Sequence, residues 1–171
     1  MDPIKILQVA GFKNSGKTTL IHRLLHAAGD RGAAVSVVKH HGHGGQPELP
    51  PPSTDSISYL EHGAAVSVVE GGGMIQLHQR VSSEPEIGDL IQLATAPGTD
   101  LVLVEGFKQA GYEKIVLVRT PEDWDELKTL QNIVLVVTPQ GVTLPNVTSI
   151  CREDADALEQ WFGSWLRGQH K

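Results

Sequence analysis

The chain has 171 residues, which suits one domain with its own hydrophobic core, and we predict a single domain over residues 1–171. Its formal net charge of −6 argues against nucleic acid or an anionic membrane surface as the main partner. Cys151 is the only cysteine, and no apolar stretch approaches the roughly 20 residues of a membrane span. We therefore expect a cytoplasmic protein without disulfides.

The first predicted strand covers residues 4–10 and leads into Gly-Phe-Lys-Asn-Ser-Gly-Lys-Thr at residues 11–18. This octapeptide matches the pattern G-x-x-x-x-G-K-[ST] at every fixed position. An amphipathic helix is predicted directly after it, over residues 19–26. A strand, a glycine loop and a helix in this order form the context in which the pattern binds phosphate, and a plain glycine turn is the disfavoured alternative.

Each residue type of the loop has a task in binding a nucleoside triphosphate. Gly11 and Gly16 allow the backbone to curl so that N–H groups converge on the phosphates. Lys17 can reach the β- and γ-phosphates, the Thr18 hydroxyl can bind Mg²⁺, and Thr19 can contact the α-phosphate. The predicted phosphate-binding residues of the loop are Gly11, Lys13, Asn14, Ser15, Gly16, Lys17, Thr18 and Thr19.

The middle of the chain predicts a second strand over residues 33–39, joined to the first by the helix as a βαβ unit. Residues 40–53 are rich in histidine, glycine and proline, so we expect a long exposed loop there. A short helix follows, with capping residues at 53–55, and ends at Gly63. Apolar runs at 65–70 and 74–78, split by three glycines, predict an antiparallel hairpin.

The later part of the chain alternates helices and strands. Helices are predicted from Pro85 to Ala94, from Thr120 onward and over residues 153–166, and strands over 101–105, 115–119 and 133–137. The strand at 101–105 is apolar up to its last residue and is expected at the centre of the sheet. The pattern predicts an α/β protein with the three-layer P-loop NTPase fold, a mostly parallel sheet and an added antiparallel hairpin.

Glu105 is the predicted acidic partner of the phosphate loop. It directly follows four apolar strand residues, and ligands of open α/β sheets lie at the carboxyl ends of strands. Asp55 is a second candidate, with a plain helix cap as its alternative. Thr18, Glu105 and Asp55 are therefore the candidate Mg²⁺ ligands, and Lys17, Asp55 and Glu105 the candidate catalytic residues.

Two lysines and one histidine are expected at the same edge of the sheet as the phosphate loop. Lys39 and His40 end the second strand, and either could approach a γ-phosphate, as could Lys108. His40, His41 and His43 could alternatively bind a metal ion, although no cysteine or nearby carboxylate completes a set of four ligands.

Several segments together resemble the molybdopterin-guanine dinucleotide biosynthesis protein B family, MobB. These segments lie in order between residues 4 and 119: the phosphate loop, Val-Val-Lys-His-His-Gly-His at 37–43, Thr-Asp-Ser at 54–56 with Gly-Ala-Ala at 63–65, Val-Glu-Gly-Phe-Lys at 104–108 and Lys-Ile-Val at 114–116. The helix at 54–58 lacks the basic residues of the family pattern.

The resemblance implies a GTP-binding adapter with feeble GTPase activity, often homodimeric, that acts beside the nucleotidyltransferase joining GMP to molybdopterin. It implies that the loop holds the phosphates of GTP while Glu105 and Asp55 help with Mg²⁺. The choice of guanine comes from the resemblance alone, because the strand at 133–137 is followed by Thr-Pro-Gln-Gly and not by Asn-Lys-x-Asp.

Two other functions remain open from the sequence. In a metal-insertion GTPase the histidine loop would carry an ion, and hydrolysis would drive its release. In a small kinase the γ-phosphate would pass to a metabolite, with Asp55 as the base.

Overall fold

The computed structural model describes residues 3–42, 45 and 47–169. Its strands are β1 (Lys5–Gly11), β2 (Val35–Lys39), β3 (Val66–Gly71), β4 (Met74–Gln79), β5 (Leu101–Glu105), β6 (Lys114–Leu117), β7 (Ile133–Thr138) and β8 (Ser149–Cys151). Its helices are α1 (Lys17–Gly29), α2 (Asp55–Glu61), α3 (Ile87–Ala94), α4 (Pro121–Leu127) and α5 (Ala155–Leu166).

Residue contacts divide the chain into two compact units. The first comprises Met1–His40 and Ile87–Lys171, and the second comprises His41–Glu86. The prediction of one domain stays a prediction. Within the described residues no helix has the length and apolar character needed to cross a membrane.

A six-stranded parallel sheet forms the first unit, in the order β2-β5-β1-β6-β7-β8. Every residue of β5 is buried, as expected for a strand between two parallel neighbours with both faces covered. Its side chains alternate between the faces, because Leu101 and Leu103 join one hydrophobic cluster while Val102 and Val104 join another.

Helices cover both faces of this sheet. Helices α1 and α5 pack on one face, where Leu24, Phe162 and Trp165 are almost fully buried. On the other face α3 covers β2 and β5 through Ile91, and α4 covers β6 and β7 through Leu127. The three-layer fold predicted from the sequence is therefore confirmed.

The second unit contains α2 and the antiparallel pair of β3 and β4. The strands pair from Val66 opposite Gln79 to Gly71 opposite Met74, so the turn consists of Gly72 and Gly73. Both have positive φ, of 59° and 80°, which the two-residue hairpin turn that matches strand twist requires. The predicted hairpin is confirmed.

Some predicted boundaries were wrong. Helix α1 begins at Lys17, two residues before its predicted start, so Lys17 belongs to the first turn of the helix. Helix α3 begins at Ile87 and not at Pro85. The short strand β8, at the edge of the sheet, was not predicted, because three residues are too few for a periodic pattern.

Candidate functional site

The phosphate loop connects β1 to α1 and depends on two glycines with positive φ. Gly16 has a φ of 96°, which a side chain would strain. At Gly11 a Cβ atom would lie 2.6 Å from the Ser15 Oγ atom and 2.8 Å from the Leu117 carbonyl oxygen. The loop is therefore packed so closely against β6 that residue 11 must be glycine.

Lys17 lies inside the curl of this loop. Its ammonium donates hydrogen bonds to the carbonyl oxygens of Phe12, at 2.7 Å, and Gly11, at 3.2 Å. Burial lowers the pKa of Lys17 and the Glu105 carboxylate opposes this shift. Three further cations, Lys108, Lys39 and Arg119, also lower the pKa. The loop thus holds a cation among other cations, which is an arrangement that favours an anionic ligand.

Glu105 ends β5, between the ends of β1 and β2, and is 7% exposed. The Thr18 hydroxyl lies 3.2 Å and 3.3 Å from its two carboxylate oxygens. The Lys39 ammonium lies 3.3 Å from Oε1 of the same carboxylate. The structure therefore brings together Thr18, Glu105 and Lys39, which the sequence placed on one rim of the sheet.

The turn after Glu105 packs tightly on the end of β2. Gly106 has a φ of 94°, and a Cβ atom there would lie 2.9 Å from the Cβ atom of His40. The His40 ring contacts the Phe107 ring at a centroid distance of 4.7 Å. This gives His40 a packing role beside the loop.

Gln8 is a site residue that the sequence reasoning missed. It lies on β1, is fully buried, and its side-chain amide donates to the carbonyl oxygens of Gly106, at 2.6 Å, and Phe107, at 2.5 Å. A glutamine in the middle of an apolar strand was the available signal, because buried polar side chains need partners.

Arg119 and Asp123 were also missed. The backbone N–H, Nε and Nη2 of Arg119 each donate to a carboxylate oxygen of Asp123 at 2.8 Å. The Nη1 atom of Arg119 also donates to the Lys13 carbonyl oxygen at 3.3 Å. Phe12 lies between two cations, with Lys108 Nζ at 4.3 Å and Arg119 Cζ at 5.2 Å from its ring centroid. The segments after β5 and β6 thus support the phosphate loop through these contacts.

The remaining predicted residues are placed as follows. Lys13 and Asn14 are exposed on the loop, where Asn14 has a positive φ of 59°, and Thr19 is exposed in the first turns of α1. Asp55 is the first residue of α2, in the second unit, and Thr54 occupies the cap position. The roles of all these residues stay predictions.

The histidine loop falls partly outside the described residues, because His43 is not among them. Within the described part of the chain, no group of three or more His, Cys, Asp or Glu side chains could hold a metal ion. The metal-insertion and kinase alternatives therefore stay predictions without an observation that favours them.

Comparison with known proteins identifies the family. The family model described as molybdopterin guanine dinucleotide synthesis protein B, MobB, matches residues 6–139, which include the whole phosphate loop and Glu105. The chain belongs to the MobB family. A probable molybdopterin-guanine dinucleotide biosynthesis adapter protein of Bacillus subtilis is 42% identical over 135 residues, covering 79% of this chain and 76% of that protein.

Other MobB relatives extend over almost the whole chain. The molybdopterin-guanine dinucleotide biosynthesis adapter protein of Escherichia coli is 30% identical over 172 residues, covering 98% of this chain and 96% of that protein. The crystal structure of Bacillus subtilis MobB superposes with a TM-score of 0.79 at 35% identity, covering 98% of this chain and 99% of that chain. The resemblance noted in the sequence is thus confirmed, and the MobB fold is a P-loop nucleotide-binding fold.

Proposed function

We propose that this MobB-family protein is a GTP-binding adapter in the formation of molybdopterin guanine dinucleotide, with GTP and Mg²⁺ held at the phosphate loop. The relatives named as adapter proteins support the pathway. The single observation that carries the nucleotide site is the contact of the Thr18 hydroxyl with the buried Glu105 carboxylate, directly beside Lys17.

The loop fits a phosphate chain. The Ser15 hydroxyl is buried, and no partner lies within hydrogen-bonding distance of it among the described residues. Burial and neighbouring cations lower the pKa of Lys17, which means that they disfavour its charged form. A bound anion would stabilise that charged form. In this proposal Gly11, Lys13, Asn14, Ser15, Gly16, Lys17, Thr18, Thr19, Lys39 and His40 surround the phosphates.

The oxygens of Thr18 and Glu105 also fit Mg²⁺, which binds one or two carboxylates together with substrate phosphates. When bound, the ion would neutralise charge on the phosphates. Glu105 orients the Thr18 hydroxyl, and Lys39 balances the carboxylate. Asp55 is included in the proposal as a further ligand or base, and the Asp55→Ala variant tests it by the Mg²⁺ dependence of GTP binding.

Hydrolysis in this proposal is slow. An arginine that stabilises the transferring phosphoryl group contributes about 10³–10⁵-fold to the rate. Arg119 is the arginine nearest the loop in these contacts, and its guanidinium is bound by Asp123 and by the Lys13 carbonyl. An arginine so engaged supports the loop, which favours a binding function over rapid turnover.

The Lys17→Ala variant tests the site. We expect it to lose GTP binding measured by calorimetry with Mg²⁺ while its circular dichroism and unfolding midpoint stay close to those of the parent protein. Lys128→Ala is the matched control, since Lys128 is half exposed and pairs only with Asp125 among the ion pairs of the described residues. Unchanged GTP affinity in Lys17→Ala would contradict the proposal.

The adapter role is tested with the partner enzyme. We expect GTP binding to strengthen, or guanylyl transfer to accelerate, when a molybdopterin nucleotidyltransferase is present, and ATP to have no such effect. Loss of the effect in Lys17→Ala would tie it to the phosphate loop. The proposal places both proteins in the cytoplasm, in keeping with a lone cysteine, Cys151, that forms no disulfide.

A homodimer formed through the hairpin completes the proposal. Six large apolar residues of β3 and β4 are 42–76% exposed: Val66, Val68, Val69, Met74, Ile75 and Leu77. Two-stranded sheets with uncovered apolar faces are marginal in water, so a second copy is the covering that symmetry offers. Sedimentation should give a dimer that dissociates in Ile75→Lys and persists in Glu84→Lys, at an exposed position outside the hairpin. A monomeric parent protein would contradict the proposal.

A further inference from the structure

A cavity of about 180 Å³ lies directly beside the phosphate loop. It is on the β6, β7 and β8 side of the sheet, whereas Lys39 ends β2 at the opposite edge. Ser15, Gly16 and Thr19 of the loop and α1 form one wall. Arg152 and Glu153, after β8, form the opposite wall. The cavity therefore lies at the carboxyl ends of the strands, where open α/β sheets bind ligands.

The size and lining of this cavity suit one ring system. Pockets for whole drug-sized ligands have volumes of about 300–1,000 Å³, so this cavity has room for one ring system but not for a whole nucleotide. Leu117 and Val137, which are almost fully buried, supply apolar surface for the face of a ring. The buried Arg152 Nε–H, which has no hydrogen-bond partner among the described residues, supplies a polar group.

Glu153 is the acidic group of the cavity. The thiol of Cys151 donates to its Oε2 atom at 3.0 Å and lowers the pKa of the carboxyl, as do backbone N–H groups of Glu153 and Gln140. The carboxylate is therefore ionised at neutral pH and tied to the loops after both β7 and β8. Asp154, its acidic neighbour, is engaged as the cap of α5 through the Ala157 N–H.

We propose that this cavity binds the base of the nucleotide and that the Glu153 carboxylate selects guanine. Guanine presents two adjacent donors, N1–H and the 2-amino group, to a carboxylate, and these are stronger donors than the Cys151 thiol. Adenine presents an unprotonated ring nitrogen at the corresponding edge, which a carboxylate repels. This inference rests on the proposed GTP site and supplies the base recognition for which the chain has no Asn-Lys-x-Asp segment after β7.

The assignment extends the site beyond the segment that the family model matches, since that segment ends at residue 139. The position of Glu153 is fixed by contacts that do not involve a ligand. The Arg23 guanidinium donates to the Arg152 carbonyl oxygen at 2.6 Å, and Arg152 donates to the Val118 carbonyl oxygen at 2.8 Å. These bonds join α1, the residue after β6 and the turn after β8, so the turn that carries Glu153 is held in place before a base arrives.

The Glu153→Gln variant tests the proposal. Dissociation constants are measured for GTP, ITP, ATP and XTP with Mg²⁺, for the parent protein, for Glu153→Gln and for Asp156→Asn. We expect the parent to prefer GTP over ATP and Glu153→Gln to lose about 10- to 100-fold in GTP affinity. XTP has a carbonyl where GTP has the 2-amino group, so the glutamine amide should bind XTP more tightly than the parent does. ITP, which lacks the 2-amino group, should bind the parent more weakly than GTP.

The controls separate this inference from the proposed function. Asp156→Asn removes the same charge from an exposed position in the first turn of α5 and should leave all four affinities unchanged. A gain in XTP affinity cannot arise from a damaged fold. An unchanged preference for GTP in Glu153→Gln, or equal affinity of the parent for GTP and ATP with binding still lost in Lys17→Ala, would overturn the base assignment and leave the phosphate site standing. Absence of any triphosphate binding by the parent would overturn both.

Discussion

Gln8 on β1 donates a hydrogen bond of 2.6 Å to the carbonyl oxygen of Gly106, the residue that directly follows the acidic site residue Glu105. A second bond, to Phe107, fixes the same turn. A buried glutamine in the central region of the sheet therefore sets the direction in which the chain leaves β5. This couples the interior of the sheet to the position of the candidate Mg²⁺ ligand.

Replacement of Gln8 by leucine should remove this link between the interior of the sheet and the position of Glu105. Gln8→Leu leaves the carbonyl oxygens of Gly106 and Phe107 without their buried partner, which costs about 1–3 kcal/mol in the free energy of unfolding. We expect the Mg²⁺ concentration for half-maximal GTP binding to rise as well, because Glu105 is less well placed. Urea titration and calorimetry measure the two effects. Gln92→Leu, at an exposed position of α3, is the control and should change neither.

Gly106 should not tolerate alanine. Its φ of 94° strains any residue with a Cβ atom, by about 1–2 kcal/mol, and the added atom would lie 2.9 Å from the His40 Cβ atom. Gly106→Ala should therefore lower the unfolding midpoint and weaken GTP binding. Gly88→Ala, where an added Cβ atom meets nothing within 4 Å, should do neither. Equal stability of the two variants would show that the packing of Gly106 on His40 is not required.

The ion pair of Arg119 and Asp123 should make stability depend on pH in acid. The Arg119 hydrogen bonds lower the pKa of Asp123 from 3.8 to about 2. Because the folded-state pKa is the lower one, the carboxylate stabilises the fold above about pH 4, and this contribution is lost as the pH falls toward about 2. The Arg119 side chain is 44% exposed, so water screens the pair and the contribution is about 1 kcal/mol.

Asp123→Asn measures this contribution. Near neutral pH the variant should unfold at lower urea concentration than the parent, and the difference should shrink as the pH falls from about 4 to about 2. Asp125→Asn is the matched control, since that carboxylate is 72% exposed and pairs with Lys128 on the surface. A difference between parent and Asp123→Asn that stays constant over this pH range would contradict the assignment.

Lys39 should compete with Mg²⁺ for Glu105. Its ammonium lies 3.3 Å from the carboxylate, so a divalent cation must share or displace it. We expect Lys39→Gln to lower the Mg²⁺ concentration needed for half-maximal GTP binding, with a weaker effect at high salt because Lys39 is 58% exposed. Lys13→Gln, on the same rim but not among the residues that contact Glu105 in the described part of the chain, provides the comparison. An increased Mg²⁺ requirement in Lys39→Gln would contradict competition.

The sequence predicts the centre of this site well because its signals are local. The phosphate loop is one continuous octapeptide, and Glu105 directly follows a fully apolar strand. The proximity of Lys39 to Glu105 could be predicted because parallel strands end at the same edge of a sheet. In the structure β2 lies beside β5, and Lys39 is directly opposite Glu105. The start of α1 at Lys17 was missed because the loop residues lack helical periodicity.

The parts of the site that the sequence does not predict depend on contacts between segments that are distant in the chain. The position of Gln8 beside Gly106 follows from the register of β1 against β5, which no short pattern encodes. The pairing of Arg119 with Asp123 is local, but its contact with the Lys13 carbonyl depends on β6 lying beside β1. The cavity at Glu153 depends on β8, whose three residues gave no strand signal.

Lys114 provides the last prediction, because it is a fully buried cation whose side-chain hydrogen bonds within the described residues go to backbone carbonyl oxygens. Its ammonium donates to the carbonyl oxygens of Ala110 and Tyr112, both at 2.9 Å, and of Gln131, at 2.5 Å. Burial lowers its pKa. The side chain thus joins the segment after Gly106 to the segment after α4, and three carbonyl groups depend on it.

Lys114→Met keeps the length of the side chain and removes the donors. We expect a loss of about 2–4 kcal/mol in the free energy of unfolding, since buried carbonyl oxygens lose their partners and the gain from removing a buried charge offsets only part of this. Urea titration measures it, with Lys128→Met as the control at a half-exposed lysine. Lys114→Met as stable as the control would show that the carbonyl groups find water instead.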